Sequence, residues 1–135
     1  NAGSTLAMND SVPKILINTN TAAAFGGLTT LVLSWVIFKK PNVPHILNGI
    51  LAGLVSITAS CHAVAAYQAI LIGSIGASLY LMSSQLLEKC RIDDVVGAVP
   101  VHGVAGLWGT LAVAFFGNAE LLATGLNFEQ QIAIQ

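Results

Sequence analysis

Charged side chains are scarce in this chain of 135 residues: only 8% are Asp, Glu, Lys or Arg, and the net charge is −1. A typical soluble domain carries about 25% charged residues, so this chain has too few to coat a soluble core. Its five basic residues form no stripe that could neutralise phosphates, which argues against nucleic acid as a partner. Since 55% of the residues are hydrophobic, the composition indicates a membrane protein.

Cysteine is also scarce, and the sequence has no motif typical of an enzyme. Cys61 and Cys90 are in different segments without metal-ligand spacing, so we interpret both as small packing residues, not as a disulfide framework. The sequence contains no nucleophile elbow, no phosphate-binding loop and no paired catalytic carboxylates. We therefore expect no enzyme activity, no cofactor and no metal site.

The sequence contains long apolar segments. They predict four membrane spans, at about residues 11–38, 45–62, 64–87 and 93–117. About 20 apolar residues are needed to cross the core of a bilayer. The second segment is short and rich in small residues, so we expect it to be buried among the other helices. The predicted fold class is all-α, a polytopic membrane helical bundle.

Four of the five basic residues lie in two loops. Loops 39–44 and 88–93 contain Lys39, Lys40, Lys89 and Arg91, and two predicted spans separate them, so both loops lie on the same side. The loop near His62 and the tail after Gly117 have no Lys or Arg. The positive-inside rule then predicts a multi-pass protein of the cell membrane with both basic loops in the cytoplasm.

One ionisable residue lies inside the last apolar segment. His102 and the Thr110 hydroxyl are the only strongly polar groups between residues 95 and 117. An ionisable side chain at membrane depth usually faces a bundle interior or a transport path, although a buried histidine bonded to a backbone carbonyl is an alternative. Gly103, Gly106 and Gly109 recur every third residue, which predicts a groove where neighbouring helices approach closely.

Four other ionisable residues have simpler interpretations. His45 and His62 lie at opposite ends of the predicted second span, so they cannot share a metal, and we interpret both as interfacial. Asp93 and Asp94 lie where the last predicted span begins, and we expect one to cap the helix and the other to be a solvated charge.

Three stretches in this order resemble a known family. They are Asn-Ala-Gly-Ser at 1–4, Asn-Gly-Ile-Leu-Ala-Gly-Leu-Val-Ser-Ile-Thr at 48–58, and residues 93–110 with Val-His-Gly-Val-Ala-Gly-Leu-Trp-Gly-Thr at their end. Together with Lys-Pro-Asn at 40–42 and Asn-Thr at 18–19, they resemble the ammonium transporter (Amt/Mep/Rh) family. The resemblance covers nearly the whole chain, from the end of the family's sixth helix through its tenth. It implies the second half-repeat of that fold, and we expect a chain of this kind to be part of a larger protein.

The resemblance also implies a function and three site residues. It implies transport of ammonium or ammonia, with deprotonation at an outer vestibule and passage through an apolar pore lined by histidine. His102 would be the second of two pore histidines, Ser4 would belong to the outer recruitment site, and Thr58 would line the pore. The first pore histidine, a recruitment Asp, a vestibule Trp and a gating Phe of the family have no counterpart in this sequence, and the family pattern does not account for His62.

Family membership further implies partners. Members are homotrimers with one pore in each subunit, embedded in the lipid bilayer. A trimeric nitrogen-regulatory signal protein can block their cytoplasmic face. The alternative function is ammonium sensing by a transporter-like membrane domain coupled to a cytoplasmic signalling output.

Overall fold

The computed structural model of the chain describes residues 1–5, 8–118, 122 and 128–134. Its described part is helical, without a strand, which confirms the predicted all-α class. The elements are a 3₁₀ helix Ala2–Thr5, α1 Ser11–Phe38, α2 Val43–Ile57, α3 Ala66–Lys89, a π-helical segment Val99–Val104 that continues into α4 Ala105–Phe116, and α5 Phe128–Ala133.

Consecutive long helices run in opposite directions. His45 at the start of α2 contacts Tyr80 in the second half of α3, where its Nδ1 lies 2.9 Å from the tyrosine oxygen. Asn48 donates a hydrogen bond from Nδ2 to the carbonyl oxygen of Val96, at 3.2 Å. The turn after α1 and the loop after α3 therefore lie at one end of the bundle, here called the basic end. Loop 58–65 lies at the other end, here called the Thr58 end.

The helix bounds differ from the predicted spans at three places. α1 covers residues 11–38, but α2 ends at Ile57 instead of near His62, α3 extends to Lys89, and the last helix begins at Val99 instead of near Asp93. Among the described residues, three segments are long and apolar enough to cross a membrane: α1, α3 and Val99–Phe116. α2 has 15 residues, a length of about 22 Å against a bilayer core of about 30 Å.

Small residues bring α2 into close contact with its neighbours, as the sequence predicted. A Cβ added to Gly53 would lie 2.3 Å from the carbonyl oxygen of Ala22 in α1. A Cβ on Gly73 of α3 would lie 2.4 Å from the same oxygen. Since real Cβ atoms never come this close, only glycine allows α1, α2 and α3 to meet at Ala22.

Among the described residues, one of the three glycines of the last helix lies at a close approach to another helix. A Cβ on Gly109 would lie 2.7 Å from the carbonyl oxygen of Ser56, so this glycine is at a close approach to α2. A Cβ on Gly106 would meet only the Val55 side chain at 3.6 Å, and one on Gly103 only Val99 of its own helix at 3.9 Å. The prediction is confirmed for Gly109 and stays a prediction for the other two, because no neighbouring helix lies against that face among the described residues.

The two cysteines have different environments. Cys61 is buried in a hydrophobic cluster with residues of α1 and α3, which confirms its interpretation as a packing residue. Burial raises the pKa of the Cys61 thiol, so the neutral form persists at physiological pH. Cys90 is exposed at the end of α3, so its interpretation as a packing residue is wrong.

Candidate functional site

An open cavity of about 560 Å³ lies at the Thr58 end of the bundle. Its wall combines the N-terminal 3₁₀ helix, the start of α1 and the first turns after α2. The lining residues are Asn1, Ser4, Thr5, Asn9, Ser11, Ile15, Thr58, Ala59, Cys61 and His62. The structure thus brings together two of the three predicted site residues, Ser4 and Thr58.

Local hydrogen bonds hold the wall in place. The backbone N–H of Ser4 donates to the carbonyl oxygen of Asn1 at 3.1 Å, which closes the 3₁₀ turn. Asn1 donates from Nδ2 to the hydroxyl oxygen of Thr19 at 3.1 Å and so fixes this turn against α1. Asn9 accepts hydrogen bonds from the backbone N–H and the hydroxyl of Ser11, which fixes the start of α1.

The hydroxyl groups of the wall offer oxygen lone pairs to the cavity. The Thr58 hydroxyl donates its proton to the carbonyl oxygen of Leu54 at 2.7 Å, and the Ser11 hydroxyl donates to Oδ1 of Asn9 at 2.5 Å. A hydroxyl has one proton and two lone pairs, so these two groups have only acceptor capacity left. Among the described lining residues no Lys, Arg, Asp or Glu occurs. Such a cavity suits a small ligand that donates hydrogen bonds.

His102 lies in the π-helical segment Val99–Val104, which the sequence analysis did not predict. The carboxylate of Asp94 accepts hydrogen bonds from the N–H groups of Ala98 and Val99, at 2.9 and 3.0 Å, which confirms Asp94 as the cap. The N–H of Ala105 donates to the carbonyl oxygen of Pro100, five residues earlier. π-Turns inside helices occur frequently at functional sites. Pro100, which lacks an N–H and interrupts the usual bonding pattern, was the available signal.

The side chain of His102 is exposed. Its neighbour Val101 is buried and packs in a cluster with Ala52 and Tyr80, which places this turn near the middle of α2. His102 is therefore not on the wall of the cavity with Ser4 and Thr58. His102 as a pore residue and His102 as a buried histidine bonded to a backbone carbonyl both stay predictions.

The other two histidines lie at opposite ends of the bundle, as predicted. His45 at the basic end lies beside the Tyr80 hydroxyl and stacks on Phe38, with ring centroids 5.4 Å apart and an angle of 9° between the ring planes. His62 is exposed on the cavity wall at the Thr58 end. Within residues 1–5, 8–118, 122 and 128–134, no group of three His, Cys, Asp or Glu residues is arranged to hold a metal.

Comparison with known proteins identifies the family. The sequence model of the Ammonium Transporter Family matches residues 1–135. The chain belongs to this family. It is 44% identical over 127 residues to the ammonium transporter Amt2 of Archaeoglobus fulgidus, a match that covers 92% of this chain and 27% of the relative.

Solved structures of family members have the same fold. A structure named Sensor Amt Protein is 38% identical to this chain with a TM-score of 0.92, covering 99% of this chain and 34% of that one. Saccharomyces cerevisiae Mep2 is 30% identical with a TM-score of 0.84, covering 95% and 29%. The resemblance inferred from the sequence is thus confirmed, and the chain is a multi-pass membrane domain. It spans about a third or less of the length of these relatives.

Proposed function

We propose that this chain serves transmembrane transport of ammonium or ammonia. Ser4 and Thr58 take part in capturing the cation, and His102 lines the path that follows. The main support is the cavity that brings Ser4 and Thr58 together and whose hydroxyls have acceptor capacity to offer.

The chemistry of the cavity matches the chemistry of ammonium. Ammonium has four N–H donors and no acceptor, so it is solvated best by oxygen lone pairs. Moving it bare into an apolar environment costs many kcal/mol, and hydroxyl oxygens replace part of the water that it loses. With no Asp or Glu among its described lining residues, the cavity does not trap the cation in an ion pair.

His102 serves the step after deprotonation at the outer vestibule. Neutral ammonia crosses an apolar pore at far lower cost than the ion. An imidazole has one donor and one acceptor nitrogen, so it can hydrogen-bond ammonia or relay its proton. The exposed face of His102 is where the first pore histidine would lie, which the family resemblance implies for the first half-repeat.

Orientation and partners complete the proposal. The positive-inside rule places the basic end in the cytoplasm and the cavity outside, at the side from which nitrogen is taken up. Family membership supports a homotrimer in the lipid bilayer, and a trimeric nitrogen-regulatory signal protein would dock at the basic end.

The test uses ammonium uptake by the full-length protein in liposomes. His102→Ala should abolish transport or change its ion dependence while folding and trimerisation persist. Ser4→Ala should raise the ammonium concentration needed for half-saturation. The loss in binding free energy should be at most that of one hydrogen bond to a charged group, about 1.5–3 kcal/mol. Ser78→Ala is the matched control, because the Ser78 hydroxyl donates to the carbonyl oxygen of Ser74 within α3, away from the cavity.

Three results would contradict the proposal. Wild-type transport by the His102→Ala variant would make this histidine structural. Unchanged half-saturation in Ser4→Ala would make Ser4 a packing residue. Residues 1–135 alone should conduct nothing above the lipid background, because the proposed pore needs a second half, so selective transport by them would also contradict it.

Ammonium sensing is the second candidate function. Its support is the similarity to the structure named Sensor Amt Protein, at a TM-score of 0.92. A sensor would couple ammonium binding to a signalling region in the full-length protein. Ammonium-dependent activity of such a region in a protein without ammonium flux would favour sensing over transport.

A further inference from the structure

His62 lies on the wall of the same cavity as Ser4 and Thr58, and its side chain is exposed. The backbone on both sides of it is fixed by Asn18, a buried residue of α1. Asn18 donates from Nδ2 to the carbonyl oxygens of Cys61 and Val64, both at 2.9 Å. His62 is therefore held at the cavity by a buried polar anchor.

Few other groups contribute charge to this cavity. The thiol of Cys61 stays neutral, because burial raises its pKa. Asp10 and Lys14 at the start of α1 do not belong to the described lining, and the 3₁₀ helix Ala2–Thr5 has no ionisable side chain. The amino terminus at Asn1 lies at the cavity and is a peptide group in any longer protein. Among the described lining residues, His62 is then the one side chain that can bring a positive charge to the wall.

We propose that His62 is a further capture residue that makes cation binding depend on external pH. A neutral imidazole offers a nitrogen lone pair to a small hydrogen-bond-donating cation, alongside the hydroxyl oxygens. A protonated imidazole has no acceptor left and brings a positive charge into the cavity, so it repels the cation. This inference rests on the proposed function, because the ligand is the ammonium ion of that proposal.

The test compares half-saturation for ammonium in liposomes that contain the full-length protein, with the external pH varied. Imidazole side chains change charge between about pH 5 and pH 8, which sets the range. In the wild type, acidification should raise the half-saturation concentration for ammonium about fivefold, since two unit charges about 4 Å apart in water repel by about 1 kcal/mol. In His62→Gln this fivefold change should be absent, and His62→Arg should bind ammonium weakly at every pH.

His45→Gln is the matched control, because His45 lies at the basic end and does not line the cavity. It should keep the wild-type pH profile. His102 is present in wild type and in both His62 variants, so any titration of the pore histidine is common to them. Size-exclusion chromatography and helical circular dichroism verify that the variants fold.

Two results would overturn the inference, and they are distinguishable. If the wild type transports ammonium and His62→Gln keeps the same pH dependence of half-saturation, the inference fails and the proposed function stands. If the wild type neither binds nor transports ammonium at any pH, the proposed function fails, and this inference fails with it.

Discussion

Gly109 and Gly106 lie three residues apart on α4, yet alanine at these two positions should change stability in opposite directions. A Cβ on Gly109 would lie 2.7 Å from the carbonyl oxygen and 3.0 Å from the Cα of Ser56. Both atoms belong to the backbone of α2, so no side-chain rotation relieves the contact. At Gly106 the Cβ would meet Val55 at 3.6 Å, an ordinary contact.

The magnitudes follow from these distances. To accept Gly109→Ala, α4 must move from α2 by about 0.7 Å, which brings the contact with the Ser56 oxygen to 3.4 Å. The hydrogen bond from the Ser56 hydroxyl to the carbonyl oxygen of Ala105, now 3.2 Å, lies in the same interface and would be lost. Overpacking costs about 1–3 kcal/mol, and the better helix propensity of alanine returns about 1 kcal/mol. Gly109→Ala should therefore destabilise the protein by about 1–2 kcal/mol, whereas Gly106→Ala should stabilise it by about 0.5–1 kcal/mol.

The assay is unfolding of the full-length protein in detergent, followed by circular dichroism at fixed detergent and protein concentration. The two single variants are compared with the wild type, and trimer content is checked by size-exclusion chromatography. If Gly109→Ala matches or exceeds the wild type in stability, α2 and α4 are not in close contact at Ser56. If both variants are destabilised equally, the cost comes from the last helix itself and not from its neighbour.

Three further predictions concern the anchor, the cap and the topology. Asn18→Ala should destabilise the protein by about 2–4 kcal/mol in the same assay, because two buried carbonyl groups lose their donor. Asn20→Ala, at an exposed position, should have little effect, and equal effects of the two variants would contradict the role of Asn18 as an anchor. Asp94→Ala should lower the free energy of unfolding by about 0.5–2 kcal/mol through loss of the helix cap. Asp93→Ala, at an exposed position, should stay within about 0.5 kcal/mol of the wild type, and the reverse order of the two effects would contradict capping by Asp94. An impermeant thiol reagent added outside intact cells should not label Cys90 but should label a cysteine introduced by Ala59→Cys. Both positions are exposed, and they lie at opposite ends of the bundle. Efficient labelling of Cys90 would contradict the proposed cytoplasmic location of the basic end.

Hydrophobicity and helix-breaking residues made most of the fold predictable. The apolar segment from Ser11 to Phe38 matches α1 to the residue, because a polar cluster precedes it and two lysines and a proline follow it. The end of α2 was not predictable from polarity, since residues 58–63 continue the small and apolar pattern while forming turns. Those turns depend on Asn18, 40 or more residues earlier in the chain, which binds two of their carbonyl groups. Contacts of this kind leave no local signal in a sequence.

The candidate site was predictable only in part. Ser4 and Thr58 were selected from the family resemblance, and the structure places both on one cavity although 53 residues separate them. The place of His62 beside them was missed, because a histidine next to a turn carries no sign of which cavity it faces. Glycine spacing was likewise insufficient, because it shows which faces are small but not which face has a neighbour, as Gly103 demonstrates.

The π-helical turn at Val99–Val104 also fixes the angular register of the helix that it joins. Each residue of an α-helix turns the chain by about 100°, so one residue more or less rotates everything beyond it by that angle. Asp94 fixes the beginning of this helix, and Gly109 against Ser56 fixes its later part. The wide turn lies between these two fixed points, and within it Val101 is buried while His102 is exposed. A wide turn holds about one residue more than an α-helical turn, so deleting one residue between Val99 and Val104 should restore regular α-helical bonding while Asp94 and Gly109 keep their contacts, and the side chains inside the segment, His102 among them, would change direction.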